Sequence, residues 1–200
     1  MRERGTAKTL ESQFRMRSLT TPILPTGQHM QMLPWQMYAL HVITQTQCGH
    51  GSTILEIGTG FGTSAWMMAK ASQLAKITTI TNNSKEAVMA RAFLAGSKTV
   101  TVVESDSLAY FEQGRTARWD MIYLDADHKH CMDDLHWFNR LRVGGLMMFH
   151  DYSPNICPPV FEAIGALGEA LGRSPDIDLI DSGGIGMAGF HRKRGDLWPE

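Results

Sequence analysis

Cysteine is scarce in this chain, with three in 200 residues. Cys48, Cys131 and Cys157 are odd in number and include no Cys-x-x-Cys spacing. That pattern excludes a disulfide framework and a structural zinc site, and it reads as reduced thiols in a cytoplasmic protein. Excess charge of either sign is also missing. Nineteen Lys+Arg stand against 20 Asp+Glu, a formal net charge of -1, so no overall field holds a polyanion and nucleic acid is not the expected partner. The cluster His191-Arg192-Lys193-Arg194 reads as a solvated end. No apolar run approaches the ~20 residues that span a bilayer. Basic residues near the N-terminus, Arg2, Arg4, Lys8, Arg15 and Arg17, are not followed by the apolar stretch of a secretory signal. Internal repeats, low-complexity tracts and interdomain linkers are absent too. What remains is a length suited to one domain with a substantial core and one active site.

Residues 1–28 lack a clear period and carry Thr21-Pro22, Leu24-Pro25 and Thr26-Gly27, which reads as an arm or lid preceding a single domain over 29–200. Pro34 suits the first turn of a helix to about Gln47, with Leu33, Met37 and Leu40 at helical spacing. From Thr53 onward, short apolar runs alternate with helical patterns. Strands are expected at Thr53–Ile57, Lys76–Thr81, Thr99–Glu104, Trp119–Asp125 and Gly145–His150, and helices at about 62–73, 84–95, 107–113 and 129–142. In the last of these, Cys131, Leu135, Phe138 and Leu141 recur at steps of three or four. Another helix after Pro158-Pro159 places Phe161, Ile164, Leu167 and Leu171 on one stripe. Two final strands, near Ile177–Ile180 and Ile185–His191, flank the turn Asp181-Ser182-Gly183-Gly184. The fold class is therefore α/β, a Rossmann-like, doubly wound, mostly parallel seven-stranded sheet closed by an antiparallel hairpin.

Open α/β sheets bind ligands beyond the carboxyl ends of their strands. The first such end reads Glu56-Ile57-Gly58-Thr59-Gly60-Phe61-Gly62-Thr63-Ser64. Gly58, Gly60 and Gly62 let the backbone turn sharply and approach a ligand closely. Dinucleotide enzymes use Gly-x-Gly-x-x-Gly, whereas this chain has Thr63 at the sixth place, and no Lys follows to make a P-loop. The segment resembles motif I of class I methyltransferases that use S-adenosylmethionine (SAM). The resemblance implies that the glycine turn lies against the methionine and ribose portions of SAM and that Glu56 helps to hold its amino end. A glycine turn that merely packs helix on strand is the competing role. A bulky residue at Gly58 or Gly60 is expected to block SAM while leaving the fold largely formed. At the second strand end the resemblance leads one to expect an acid toward ribose, but the chain has Asn82. An amide still donates and accepts hydrogen bonds, without the strength of a charged acceptor. The third end, Glu104-Ser105-Asp106-Ser107, resembles the adenine-side loop, with Asp106 the partner of the adenine amino group or, equally, a helix cap.

The fourth and fifth strand ends carry Asp125, Asp127 and His128, and then His150 and Asp151. Leu124-Asp125-Ala126-Asp127-His128 and Phe149-His150-Asp151-Tyr152, with Val143-Gly144-Gly145 before the second, resemble the small-molecule O-methyltransferase branch. The likeness runs from about Thr53 to Tyr152. It implies a small-molecule acceptor, and a divalent metal, magnesium or manganese, held by Asp125 and Asp151. A direct bond from His150 would instead favour manganese, iron or zinc. The competing role for Asp125 is to order its loop while His150 packs against a neighbour. An imidazole of pKa ~6.5 suits proton acceptance from an alcohol or phenol, with His128 the first candidate base and His150 the second. A homodimer is the family-level expectation. Two alternatives stay open: a nicotinamide-dependent oxidoreductase, and a non-catalytic SAM-binding regulatory protein.

Overall fold

The computed structural model describes residues 32–114 and 116–199. The expected arm or lid at 1–28 lies outside them. Seven strands form one sheet: β1 (Thr53–Ile57), β2 (Lys76–Thr81), β3 (Val100–Glu104), β4 (Trp119–Leu124), β5 (Leu141–Phe149), β6 (Ile177–Ile180) and β7 (Gly186–His191). Their order is β3-β2-β1-β4-β5-β7-β6. The first five run parallel, and β7 joins β5 and β6 antiparallel, so the expected architecture holds. Among the described residues, five α-helices accompany the sheet: α1 (Pro34–Gln47), α2 (Thr63–Ala71), α3 (Ser84–Leu94), α4 (Ser107–Gln113) and α5 (Pro158–Leu171).

Strand side chains alternate between two apolar layers, because successive residues of a strand face opposite ways. Leu55, Ile122, Met147 and Phe149 pack on one side with Ile164 and Leu167 of α5. Ile54, Met121, Leu146 and Met148 pack on the other with Met37 and Leu40 of α1 and Met68 of α2. The methionines in this second layer are core, as Met-rich faces usually are. Asp181 closes the final hairpin by accepting from the backbone N–H of Gly183 at 2.8 Å and Ile185 at 3.2 Å. It also accepts from the Trp35 indole of α1 at 3.2 Å.

Three expectations need correction. The stretch 129–142 is not an α-helix but two 3-10 segments, His128–His130 and Asp133–Arg140, followed directly by β5 from Leu141. The steps of three from Leu135 to Phe138 to Leu141 are the 3-10 repeat, and all three side chains are buried. Strand β5 accordingly begins at Leu141, ahead of the expected Gly145, with a register shift against β4 between Trp119 and Met121. In α5 the buried stripe is Val160, Ala163, Ile164 and Leu167, while Phe161 is 39% exposed and stacks on Tyr152.

Strand β1 has β2 on one side and β4 on the other, so the chain reverses its direction of winding there. A crevice opens at such a switch point, over the carboxyl ends of the strands.

Candidate active site

A cavity of about 920 Å³ lies over the carboxyl ends of β1 to β5, within the range of small-molecule and cofactor sites. Gly58, Thr59, Gly60 and Ser64 form its wall at the end of β1. Gly58 and Gly60 have φ of +101° and +47°, left-handed values that favour glycine. The two glycines are not equivalent. A Cβ on Gly58 would stand 2.1 Å from the backbone oxygen of Asp125, so this glycine is required by close approach of the β1 turn to the end of β4. The expectation that a bulky residue at Gly58 leaves the fold largely formed is thereby overturned. Gly62 turns toward α3, where a Cβ would meet Leu94 Cδ1 at 2.9 Å. It serves helix packing, and Thr63 beside it is buried and outside the cavity wall. The Thr59 and Thr79 hydroxyls share a hydrogen bond of 2.7 Å that ties the turn to β2.

Glu56 lies beneath the turn, paired in register with Thr79 of β2 and Tyr123 of β4. It is 0% exposed. Burial pushes its carboxyl up to about 8, and the charge of Asp125 adds to the shift. Side-chain hydrogen bonds from Ser64 and Thr79 partly offset the rise. The Tyr123 hydroxyl is buried and without a hydrogen-bond partner among the described residues. A buried acid held largely neutral, with no cation beside it among the described residues, is disposed to ionise when a cation is brought to it.

Asn82 is exposed on the cavity wall at the end of β2. An acid that the sequence did not single out, Glu86, also lines the cavity there and accepts from the Thr81 hydroxyl at 2.9 Å. Its signal was the Asn83-x-x-Glu86 spacing of a helix start, since Asn83 caps α3 through Lys85 N–H and Glu86 N–H. Asp106 also lines the cavity, and it performs the competing role, accepting from Leu108 N–H at 2.9 Å and Ala109 N–H at 3.2 Å as the cap of α4. Behind it stands a second unforeseen acid, Asp134, 6% exposed yet on the cavity wall. Burial raises its pKa to about 6. The Trp137 indole donates to Ser107 Oγ at 2.8 Å, and Ser107 donates to Asp134. The apolar stripe expected over 129–142, Cys131, Leu135, Phe138 and Leu141, does not include Asp134, so its burial was not marked.

Four of the five groups expected at the chemistry end converge. His150 Nδ1 lies 3.1 Å from Asp125 Oδ1 and 3.2 Å from Asp151 Oδ2, and His128 Nε2 lies 3.0 Å from the same Asp151 oxygen. The fifth, Asp127, caps the first 3-10 segment by accepting from Lys129 N–H at 3.1 Å. Burial opposes protonation of His150, but the two facing carboxylates outweigh it and raise its pKa to about 10. Burial likewise opposes ionisation of Asp151, and the contacts with His128 and His150 reverse this, holding its carboxyl far below the usual carboxylate range. The Asp151 contact raises His128 above its ordinary value against partial burial. On its other side, His128 Nδ1 is 3.8 Å from Cys157 Sγ. Cys48 and Cys131 are buried free thiols pushed up to about 12 by burial, and Cys157 is free and half-buried.

A divalent cation fits this donor set. One ligand atom each from Asp125, His150 and Asp151 lies within 4.8 Å of the others, and Nε2 of buried His150 has no hydrogen-bond partner among the described residues. Two carboxylate oxygens with one imidazole suit manganese, iron or zinc better than magnesium, which prefers oxygen throughout.

Residues 55–152 match the family described as a methyltransferase domain. No curated protein matches the chain. Among solved structures, an O-methyltransferase from Bacillus cereus in complex with SAH is 20% identical, with 96% of this chain and 93% of that one covered at a TM-score of 0.63. The O-methyltransferase TomG from Streptomyces achromogenes, involved in tomaymycin synthesis and bound to SAM, is 19% identical over 96% and 91% of the two chains at 0.63. A putative caffeoyl-CoA O-methyltransferase from Staphylococcus aureus is 19% identical over 94% and 93% at 0.66. The chain thus has the class I SAM-dependent methyltransferase fold. Its sequence matches the methyltransferase domain over the segment that carries the glycine turn and the Asp/His cluster. Among the described residues no helix is long and apolar enough to cross a membrane.

Proposed function

We propose that this protein transfers the methyl group of SAM to a hydroxyl of a small-molecule acceptor. One observation carries the reading: the glycine turn lines one cavity with Asp125, His128 and Asp151, behind which His150 is buried, and Gly58 and Asp125 meet at the boundary between the two ends. The structural similarity to O-methyltransferases supports the choice of a hydroxyl acceptor.

In this reading SAM lies along the wall from Gly58 to Asn82 and Asp106, with its ammonium toward Glu56. The sulfonium methyl is already activated, so the chain's main tasks are to align acceptor oxygen, carbon and sulfur and to exclude water. Asp125 and Asp151, with His150 beside them, would hold a divalent cation, whose chemistry is to lower the pKa of the acceptor hydroxyl. His128 removes the proton. Its Nε2 faces Asp151, which favours the tautomer with hydrogen on that atom, and the lone pair that accepts the acceptor's proton is then on Nδ1. Cys157 stands beside that nitrogen.

The test is production of S-adenosylhomocysteine from SAM in the presence of a panel of catechols, other phenols and sugar hydroxyls. Turnover with an oxygen acceptor, lowered ~10²- to 10⁴-fold by loss of His128, supports the reading. Turnover only with amine or thiol acceptors would overturn the hydroxyl assignment.

A further inference from the structure

We infer that His150 is itself a metal ligand, completing with Asp125 and Asp151 a site that selects a borderline cation such as manganese over magnesium. The inference rests on the reading above for its place in the reaction, although metal binding requires neither SAM nor acceptor.

The backbone is built to bring His150 and Asp151 to one point. Consecutive residues of a strand face opposite ways, so neighbours at the end of β5 would ordinarily diverge. Asp151 has φ +54°, the one positive φ outside glycine among the described residues. A left-handed conformation is costly for a residue with a Cβ and persists where the surroundings enforce it. It lies immediately after His150, whose N–H is bound to Leu124 O at 3.0 Å, and before Tyr152, whose N–H is bound to Gly186 O at 3.0 Å. Both side chains consequently reach the same place, and Asp125 meets them from the end of β4.

The polar accounting points the same way. His150 is 3% exposed; its Nδ1 lies within ion-pair distance of two carboxylate oxygens, and its Nε2 has no hydrogen-bond partner among the described residues. Buried polar atoms in folded proteins rarely lack a partner. Ligands about 2.1 Å from a cation are separated by about 3.0 Å at octahedral angles and about 3.4 Å at tetrahedral ones. The separations of 3.1 and 3.2 Å from Nδ1 to the two carboxylates fall between those values. His128 adds the outer contact that orients a ligating carboxylate, through Nε2 at 3.0 Å from Asp151. Tyr152, the residue after Asp151, stacks on Phe161 at 5.4 Å between ring centroids. The third donor is therefore nitrogen, which magnesium disfavours and manganese, iron and zinc accept.

The test uses the full chain, stripped with chelator and titrated with Mn²⁺ alone. Electron paramagnetic resonance counts bound manganese, and spin-echo modulation reports directly bonded ¹⁴N. The expected result is one bound ion per chain with nitrogen modulation, displaced by Mg²⁺ only at concentrations roughly tenfold higher or more. In a folded His150→Asn protein the modulation should disappear and the preference for manganese shrink. His128 also presents a ring nitrogen to Asp151, in a second group with Cys157, so if the His150 variant does not fold, His128→Asn decides: modulation that survives in it comes from His150, and modulation that vanishes there overturns the inference. No bound manganese, manganese bound without nitrogen modulation, or magnesium binding of equal strength would each overturn the inference. SAM titration of the same sample separates the two readings. SAM bound by a protein that takes no manganese overturns only the metal site, whereas nitrogen-ligated manganese in a protein that never binds SAM overturns only the methyltransferase reading.

Discussion

Gly58 packs its α-carbon against the peptide of Asp125, so that any side chain at position 58 would collide with backbone at 2.1 Å. The contact joins the cofactor end of the cavity to its chemistry end. Gly58→Ala should therefore destabilise the fold by about 3 kcal/mol, from left-handed strain and displacement of the β4 end. For a domain of this size that is a fall in Tm of roughly 10 °C in thermal unfolding. Gly60→Val should behave differently, since Gly60 borders the cavity. It should cost about 1–2 kcal/mol of stability and abolish SAM binding by calorimetry. A folded Gly60→Val protein with undiminished SAM affinity would contradict the placement of the cofactor.

Asn82→Asp should preserve or improve SAM affinity. A charged acceptor makes a hydrogen bond stronger by about 1 kcal/mol, roughly a fivefold gain. A large loss of affinity with the fold intact would show that Asn82 does not face the ribose.

Glu56 gives SAM binding a pH dependence of stated sign. Its carboxyl is raised to about 8 by burial, so in the free protein it is mainly protonated at neutral pH. A cationic ammonium beside it favours the ionised form, and binding must then release a proton. Affinity should rise with pH from 6 to about 8 and level off above. Calorimetry in buffers of different ionisation enthalpy should detect the released proton. In Glu56→Gln both the slope contributed by this group and its proton release should vanish, and their persistence would place the ammonium elsewhere.

How much of this was legible in the sequence depends on the kind of signal. The glycine turn and the strand ends follow from local pattern, since apolar runs of strand length bounded by Gly, Asn and Asp leave few other arrangements. The division of labour among the glycines was not legible. That Gly58 abuts Asp125 and Gly62 abuts Leu94 depends on contacts between segments far apart in the chain. Asp134 was hidden for a related reason. Its burial follows from the 3-10 geometry of Asp133–Arg140 and the relay through Ser107, neither of which an α-helical period reveals. The left-handed turn at Asp151, which brings His150 and Asp151 to one point, also has no sequence signature, because no glycine marks it.

His128→Ala should retain SAM and metal binding while lowering turnover by ~10²- to 10⁴-fold, the usual contribution of a positioned base. Because the Asp151 contact raises His128 above its ordinary pKa, a base at this position is free only at higher pH. The acid limb that His128 contributes to the rate profile should be absent from the residual activity of the variant. A limb unchanged in His128→Ala would assign the proton transfer to another group.

The central claim is that the cavity over β1 to β3 is a SAM site, and calorimetric titration of the purified chain with SAM and, separately, with NAD tests it most directly. The account predicts saturable binding of SAM at one site per chain and no measurable heat from NAD. Binding of NAD in place of SAM would contradict it and return the glycine turn to the dinucleotide enzymes.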